Sequence, residues 1–242
     1  MQGSQKIEEL HERTIGTESK NQNESAENRL MSVKSFDIEK TSFKIIEDEI
    51  GNHGYDERYE WPIVRRVIHA TADFDFAGRE KIIFSYDPVA SAFNALKNGC
   101  NIVTDVEMVR SGISKNSLTQ LNLKSLCKIS DPTIIEEAKK YNKTRAEAAM
   151  RSSASAMNGG IVVIGNAPTS LYETIKMVKE GITKPNLVIG VPVGFVSAVE
   201  SKTELLKTTV PSITNIGRKG GSAVASSIIN ALLLLYLHGE KG

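Results

Sequence analysis

His69 is the residue whose type and position most suggest chemistry. It ends an apolar-periodic segment and precedes a polar turn that contains Asp73, and the chain's other histidines are His11, His53 and His238. An imidazole has an unperturbed pKa of roughly 6.5, so it can give and take a proton near neutral pH. A histidine at a helix end can therefore act as an acid or base, although a capping or core histidine bonded to backbone explains the residue equally well.

Three glycine-containing segments follow apolar runs and precede helical patterns: Gly165–Thr169 (the 165 turn), Gly190–Val196 (the 190 loop) and Gly217–Ser222 (the GRKGGS turn). The GRKGGS turn combines two cations, flexible glycines and a hydroxyl at a helix start, so it should attract anions. A tight turn is the simpler interpretation of the 165 turn. Close strand–helix packing explains the 190 loop as well as close approach to a ligand does.

Three further polar residues stand where ligands could bind. Arg145 lies near the start of a helix of small residues, where the helix dipole does not stabilise a cation, so a carboxylate ligand would suit it. A solvated surface arginine is the alternative. Thr104 and Asp105 lie at the carboxyl end of a predicted strand, a common place for site residues, but capping of the next helix is the simpler role for Asp105.

Composition and charge argue against several classes of partner. Of 242 residues, 40% are hydrophobic and 24% charged, which is ordinary for a globular protein, and we expect one domain over residues 31–242. Residues 1–30 are polar and should form a disordered tail, either a native extension or an added segment. Because Lys plus Arg exceed Asp plus Glu only by 30 to 29, neither nucleic acid nor an anionic membrane is an expected partner.

Cysteines and apolar segments bear on location and metal binding. Cys100 and Cys127 show no CxxC spacing, so neither a disulfide framework nor a structural zinc site is expected. The longest apolar stretch, Ile228–Leu237, is shorter than the ~20 residues of a membrane span and should be a buried helix. With no recognisable secretion signal, we expect a cytoplasmic protein.

Short apolar runs alternate with helical patterns over most of the chain. Runs that are apolar throughout suit a sheet covered on both faces, so we predict an α/β fold: a single-domain, doubly wound, mostly parallel sheet with helices on both faces. Ligands of such sheets bind at the carboxyl ends of the strands, where the glycine segments fall. The predicted strands are 81–85, 101–104, 160–164, 187–191 and 213–216, and the principal helices are 36–50, 57–68 (bent or restarted at Pro62), 168–180 and 192–206.

Five motifs, taken in order, resemble those of the precorrin-8X methylmutase family, also called cobalt-precorrin-8 methylmutase or precorrin isomerase, of corrinoid (vitamin B12) biosynthesis. The resemblance spans about residues 36–237 and leaves out the tail. The motifs are VIHA at 67–70, TDVEMV at 104–109, the 165 turn, the 190 loop with ESK at 200–202, and the GRKGGS turn.

This resemblance implies an isomerase that moves a methyl group between adjacent ring-C carbons of precorrin-8X or cobalt-precorrin-8, giving hydrogenobyrinate or cobyrinate. It implies a tetrapyrrole substrate, a homodimer, and no metal or other cofactor. His69 matches the family's acid–base residue, which exchanges a proton near the ring-C nitrogen. The implied substrate contacts are Ser42, Thr104, Asp105, Arg145, Gly220 and Gly221.

Two other functions remain open at this point. A non-catalytic carrier of corrinoid intermediates would use the same cleft without converting its ligand. A Rossmann-like nucleotide-dependent oxidoreductase fits the fold, but the P-loop spacing and the GxGxxG fingerprint are both missing from the sequence. The sequence also leaves open whether the substrate carries cobalt, because that metal would sit in the macrocycle.

Overall fold

The computed structural model, which describes residues 37–239, has a sheet of six short strands. The spatial order is β1-β6-β5-β4-β2-β3, and every neighbouring pair is parallel except β1 with β6. All four residues of β4, β5 and β6 are buried. The strands are Ile82–Ser85 (β1), Asn101–Thr104 (β2), Lys124–Leu126 (β3), Ile161–Ile164 (β4), Leu187–Gly190 (β5) and Ser212–Asn215 (β6).

Helices cover both faces of this sheet, as predicted. The helices are residues 37–50 (α1), Glu60–Thr71 (α2), Pro88–Lys97 (α3), Glu107–Gly112 (α4), Lys115–Gln120 (α5), Pro132–Lys140 (α6), Arg145–Ser152 (α7), Ala154–Met157 (α8), Pro168–Lys179 (α9), Ala198–Leu206 (α10) and Ser222–Gly239 (α11), with a 3-10 turn at Phe74–Ala77. On one face, Val162 and Val188 pack with Met150, Leu171 and Leu205 from α7, α9 and α10. On the other, α3 and α11 contact β5, and α4 contacts β2.

The C-terminal helix α11 is a core element. By length and composition it could cross a membrane, and it is the one such helix within residues 37–239. Half of it is buried, however, and it packs against α2, α3 and α4. The predicted buried stretch Ile228–Leu237 is therefore largely buried up to Leu233 and half-buried from Leu234 to Leu237.

Three elements differ from the sequence predictions. The short edge strand β3 was not predicted, because Lys-Ser-Leu is not an apolar run. Helix α10 begins at Ala198 rather than 192, since the preceding Ser197 has φ +63° and residues 191–197 form a loop. Helix α2 runs without interruption through Pro62, which lies in its first turn, where a missing N–H removes no helical hydrogen bond.

The described residues divide into two units, 37–49 and 50–239. The described part of the first unit belongs to α1. The predicted boundary between residues 30 and 31 lies outside the described residues, as does the predicted polar tail, so both stay predictions. All six strands and helices α2 to α11 belong to the second unit.

Candidate functional site

The carboxyl ends of four strands meet at one edge of the sheet, which we call the carboxyl edge. Thr104 of β2 pairs with Val163 of β4, and Ile164 pairs with Gly190 of β5, which pairs in turn with Thr214 of β6. The segments that follow these strands therefore leave the sheet side by side. They include Asp105, the 165 turn, the 190 loop and the GRKGGS turn.

Asp105 holds the 165 turn. Its side chain is fully buried, and one carboxylate oxygen accepts the Gly165 N–H at 3.2 Å while the other accepts the N–H groups of Asn166 and Ala167, each at 2.8 Å. Burial raises the pKa of this carboxyl, and the three N–H donors act in the opposite direction. The capping interpretation is wrong, because α4 begins after Val106 and has no side-chain cap. With no exposed surface, Asp105 supports the edge by holding the 165 turn, and its implied contact with a substrate stays a prediction.

Thr104 has a similar supporting position. Thr104 is 2% exposed, and its hydroxyl lies 3.3 Å from the Leu126 carbonyl oxygen and 3.4 Å from the Val106 carbonyl oxygen. The hydroxyl thus links the end of β2 to the end of β3. Direct contact with a substrate, which the resemblance implied, would require this residue to leave its buried position.

The 190 loop and the GRKGGS turn bond directly to each other. The Gly221 N–H donates to the Val191 carbonyl at 2.9 Å, and the Gly194 N–H donates to the Arg218 carbonyl at 3.2 Å. Gly220 has φ +148°, and a Cβ built on it would overlap the Val191 carbonyl oxygen. Only glycine allows so close an approach of two backbones. The structure therefore brings Gly220 and Gly221 together with the 190 loop. The close approach explains the glycine at 220, and a φ of +112° explains the glycine at 221. The implied contact of both residues with a substrate stays a prediction.

A buried lysine supports the GRKGGS turn from below. Lys202 of α10 is 1% exposed, and its Nζ donates to the Lys219 carbonyl at 2.7 Å and to the Asn215 side-chain oxygen at 3.1 Å. Burial lowers the pKa of this amine to about 8, against a smaller opposing effect of the Glu80 carboxylate. The Asn215 amide in turn donates to Glu80 Oε2 at 3.1 Å.

No role was assigned to Lys202 from the sequence, although its spacing from the apolar residues of α10 indicates that it faces inward. The buried residues of α10 are Ala198, Ser201, Lys202 and Leu205, so the lysine occupies the inward stripe of a short helix. A cation in such a stripe needs acceptors. The carbonyl and amide oxygens beneath the GRKGGS turn supply them.

His69 lies in the exposed last turn of α2, close to the end of that helix. Ala72 ends the helix in the left-handed conformation, with its N–H bonded to the Ile68 carbonyl at 2.7 Å. One residue later, Asp73 Oδ2 lies 2.6 Å from Lys219 Nζ. The end of α2 that carries His69 therefore adjoins the GRKGGS turn through Asp73.

Arg145 begins α7 and is exposed. The preceding Thr144 forms a capping box with Glu147, and its hydroxyl lies 3.4 Å from that of Thr169 in the 165 turn. This contact places Arg145 beside the same edge. Among residues 37–239 its guanidinium has no ion-pair partner, so its charge is available to an anion.

Ser42 lies on α1, in the first unit. Its hydroxyl donates to the Ile38 carbonyl at 2.9 Å, one turn earlier in the helix. This bond satisfies the hydroxyl locally. The implied contact of Ser42 with a substrate stays a prediction.

The segments that follow the strands at the carboxyl edge also carry exposed apolar side chains. Phe195 and Val196 in the 190 loop are 86% and 81% exposed, and Met108 of α4 is 73% exposed. The Arg218 guanidinium lies 5.5 Å from the centre of the Phe195 ring. An edge that combines an imidazole, arginines, backbone N–H groups and apolar surface suits a large anion with an apolar face. Within residues 37–239, no group of three or more His, Cys, Asp or Glu side chains is placed to hold a metal ion.

Comparison with known proteins agrees with these motifs. A family sequence model described as precorrin-8X methylmutase matches residues 37–235. A cobalt-precorrin-8 methylmutase from Priestia megaterium is 48% identical over 206 residues, 85% of this chain and 90% of that protein. One from Leptospira interrogans is 47% identical and covers 82% of this chain and 92% of that protein. A precorrin-8x methyl mutase structure from Thermus thermophilus superposes with a TM-score of 0.78 at 37% identity, covering 84% of this chain and 96% of that one.

Proposed function

The chain belongs to the precorrin-8X methylmutase family and is therefore an isomerase, and we propose that it moves a methyl group on cobalt-precorrin-8 with His69 as the acid–base residue. The observation that carries this proposal is the position of His69, in the last turn of a helix tied to the GRKGGS turn. The choice of the cobalt-containing substrate rests on the names of the two relatives described above.

The chemistry asks for one group that both gives and recovers a proton. The product of an isomerisation has the same composition as the substrate. A proton that the protein donates near the ring-C nitrogen must therefore leave the substrate again, and the acid must regain a proton before the next turnover. An imidazole meets this need near neutral pH. The methyl group then migrates between adjacent ring-C carbons as the conjugation shifts, and His69 recovers its proton as the product forms.

Binding of the substrate would use the other groups of the edge. A corrin precursor carries several acetate and propionate carboxylates around a flat macrocycle. Arg145, Arg218 and the N–H groups at the start of α11 suit the carboxylates, while Phe195 and Val196 suit the apolar face. Because the rearrangement is internal to one bound molecule, orientation should supply much of the rate.

We further propose a homodimer in which the apolar residues of the 190 loop lie near the subunit boundary. The support is their exposure, because large apolar side chains grouped on a surface commonly mark an interface. Sedimentation equilibrium tests this proposal. A protein that stays monomeric at micromolar concentration would contradict it.

Absorption spectroscopy tests the catalytic role. Purified protein mixed with cobalt-precorrin-8 should shift the chromophore to that of cobyrinate, whereas a carrier would retain the original spectrum. His69→Gln should lower turnover roughly 10²- to 10⁴-fold, the usual contribution of acid–base catalysis. The matched control is His238→Gln, because His238 is also exposed in the last turn of a helix. Near-normal turnover by folded His69→Gln would remove His69 from the mechanism.

A further inference from the structure

Lys219 joins two parts of the carboxyl edge that are distant in sequence. Its Nζ lies 2.6 Å from Asp73 Oδ2 and 2.7 Å from Asp75 Oδ2, across 146 and 144 residues. We propose that these three side chains, which we call the clamp, position the end of α2 and with it His69 relative to the GRKGGS turn. The inference rests on the catalytic role of His69 proposed above.

The lysine end of the clamp is fixed by the protein interior. The Lys219 carbonyl accepts hydrogen bonds from Lys202 Nζ at 2.7 Å and Asn215 Nδ2 at 3.0 Å, and its N–H donates to Glu80 Oε2 at 3.3 Å. Lys202 is 1% exposed and Asn215 is fully buried. The backbone of Lys219 is therefore held from both sides, and its ammonium can serve as an anchor.

The aspartate end is coupled to the last turn of α2. Asp73 follows the left-handed cap residue Ala72, and its Oδ1 accepts the Asp75 N–H at 3.0 Å, which closes the start of the 3-10 turn. Only three residues separate Asp73 from His69. A shift of Asp73 would thus be passed to the helix end that carries the imidazole.

The effect on stability and the effect on turnover distinguish a positioning role of the clamp from a merely stabilising one. The Lys219 and Asp73 side chains are 40% and 27% exposed, and ion pairs open to solvent contribute little to stability. A displacement of a catalytic group by about 1 Å, by contrast, can lower a rate roughly 10²-fold. Loss of the clamp should therefore reduce turnover far more than it reduces stability.

The pairing also gives Lys219 a role other than substrate binding. Two carboxylates share its ammonium, and the hydrogen bonds to Asp73 and Asp75 raise its pKa. The ammonium stays protonated, but two carboxylates already balance its charge, so it attracts a substrate carboxylate only weakly. The clamp should therefore affect kcat, while a lysine that bound the substrate would affect KM.

The first test compares Lys219→Met with Lys219→Arg in steady-state turnover of cobalt-precorrin-8. Lys219→Met should lower kcat by roughly 10- to 100-fold with KM changed by less than about threefold, and Lys219→Arg, which can still pair with two carboxylates, should recover most of the rate. The matched control is Lys207→Met, since Lys207 Nζ pairs with Glu204 Oε1 at 2.6 Å in an exposed pair at the end of α10. That control should keep its full rate.

The second readout is the imidazole NMR signal of His69, identified by its loss in His69→Gln. It should shift or broaden in Lys219→Met and remain in place in Lys207→Met, while the His238 signal stays unchanged in both. If Lys219→Met does not fold, Asp73→Asn combined with Asp75→Asn removes the charge pairing while an amide oxygen still caps the 3-10 turn. The same loss of kcat and the same shift are expected of it.

Several results would overturn the clamp. An unchanged kcat in folded Lys219→Met or in the double asparagine variant would do so, and so would a rise in KM alone, which would make Lys219 a substrate ligand. Normal turnover by His69→Gln is a different outcome, because it refutes the catalytic role of the histidine itself. An inactive His69→Gln together with a fully active Lys219→Met refutes the clamp alone.

Discussion

Substitution of Gly220 tests whether the close approach of the GRKGGS turn and the 190 loop determines the shape of the carboxyl edge. In Gly220→Ala the new methyl group would overlap the Val191 carbonyl oxygen, at a residue with φ +148°. The carbonyl that must move also accepts the Gly221 N–H at 2.9 Å, so both loops would shift together. We therefore expect losses of both stability and turnover.

The size of the stability loss follows from two contributions. A side chain in this φ region costs about 1–3 kcal/mol, and forced overlap in a packed site costs about 1–3 kcal/mol more. The free energy of unfolding of Gly220→Ala should thus fall by about 2–6 kcal/mol. Urea denaturation of the purified protein measures this value, and the absorption assay measures the accompanying loss of turnover.

Gly99→Ala is the matched control for this prediction. Gly99 also has a positive φ, +66°, but a Cβ built there would meet no atom within 4 Å. Its substitution should cost only the conformational penalty of about 1–2 kcal/mol and leave turnover unchanged. If both variants lose the same stability and Gly220→Ala keeps full turnover, the argument from close approach is refuted.

Three further predictions concern the charged residues of the edge. Burial lowers the pKa of Lys202 from 10.5 to about 8, so between these pH values the unfolded chain binds more protons than the folded protein. The free energy of unfolding of the wild type, relative to that of Lys202→Met, should therefore rise between pH 8 and 10.5. Urea denaturation measures this rise, which should be at most about 3 kcal/mol. Asp105→Asn should lower the free energy of unfolding by about 1–3 kcal/mol, because one N–H of the 165 turn loses its acceptor. Asp105→Ala should lower it by more. Equal stability of the wild type and both variants would contradict this prediction. Arg145→Ala should raise KM with little change in kcat or melting temperature, and a fall in kcat alone would exclude a purely binding role.

Local pattern was sufficient for most of the fold. Strands β4 and β5 are buried along their whole length, so each appears in the sequence as an uninterrupted apolar run between turn-forming residues. The short edge strand β3 lacks that pattern because its first residue, Lys124, is exposed. The start of α10 was misplaced because the apolar residues of the 190 loop resemble a helix face, whereas two positive φ values, at Gly194 and Ser197, keep the chain irregular until Ala198.

The sequence by itself determined which residues could do chemistry, the alternation of strands and helices, and the family that the motifs resemble. Only the tertiary structure decided which charges are already satisfied. Asp105 meets the N–H groups of a turn 60 to 62 residues away, and Lys219 meets aspartates 144 and 146 residues away. Periodicity predicts which face of a helix or strand is buried, but the partner of a polar side chain depends on which distant segments the sheet brings to the same edge.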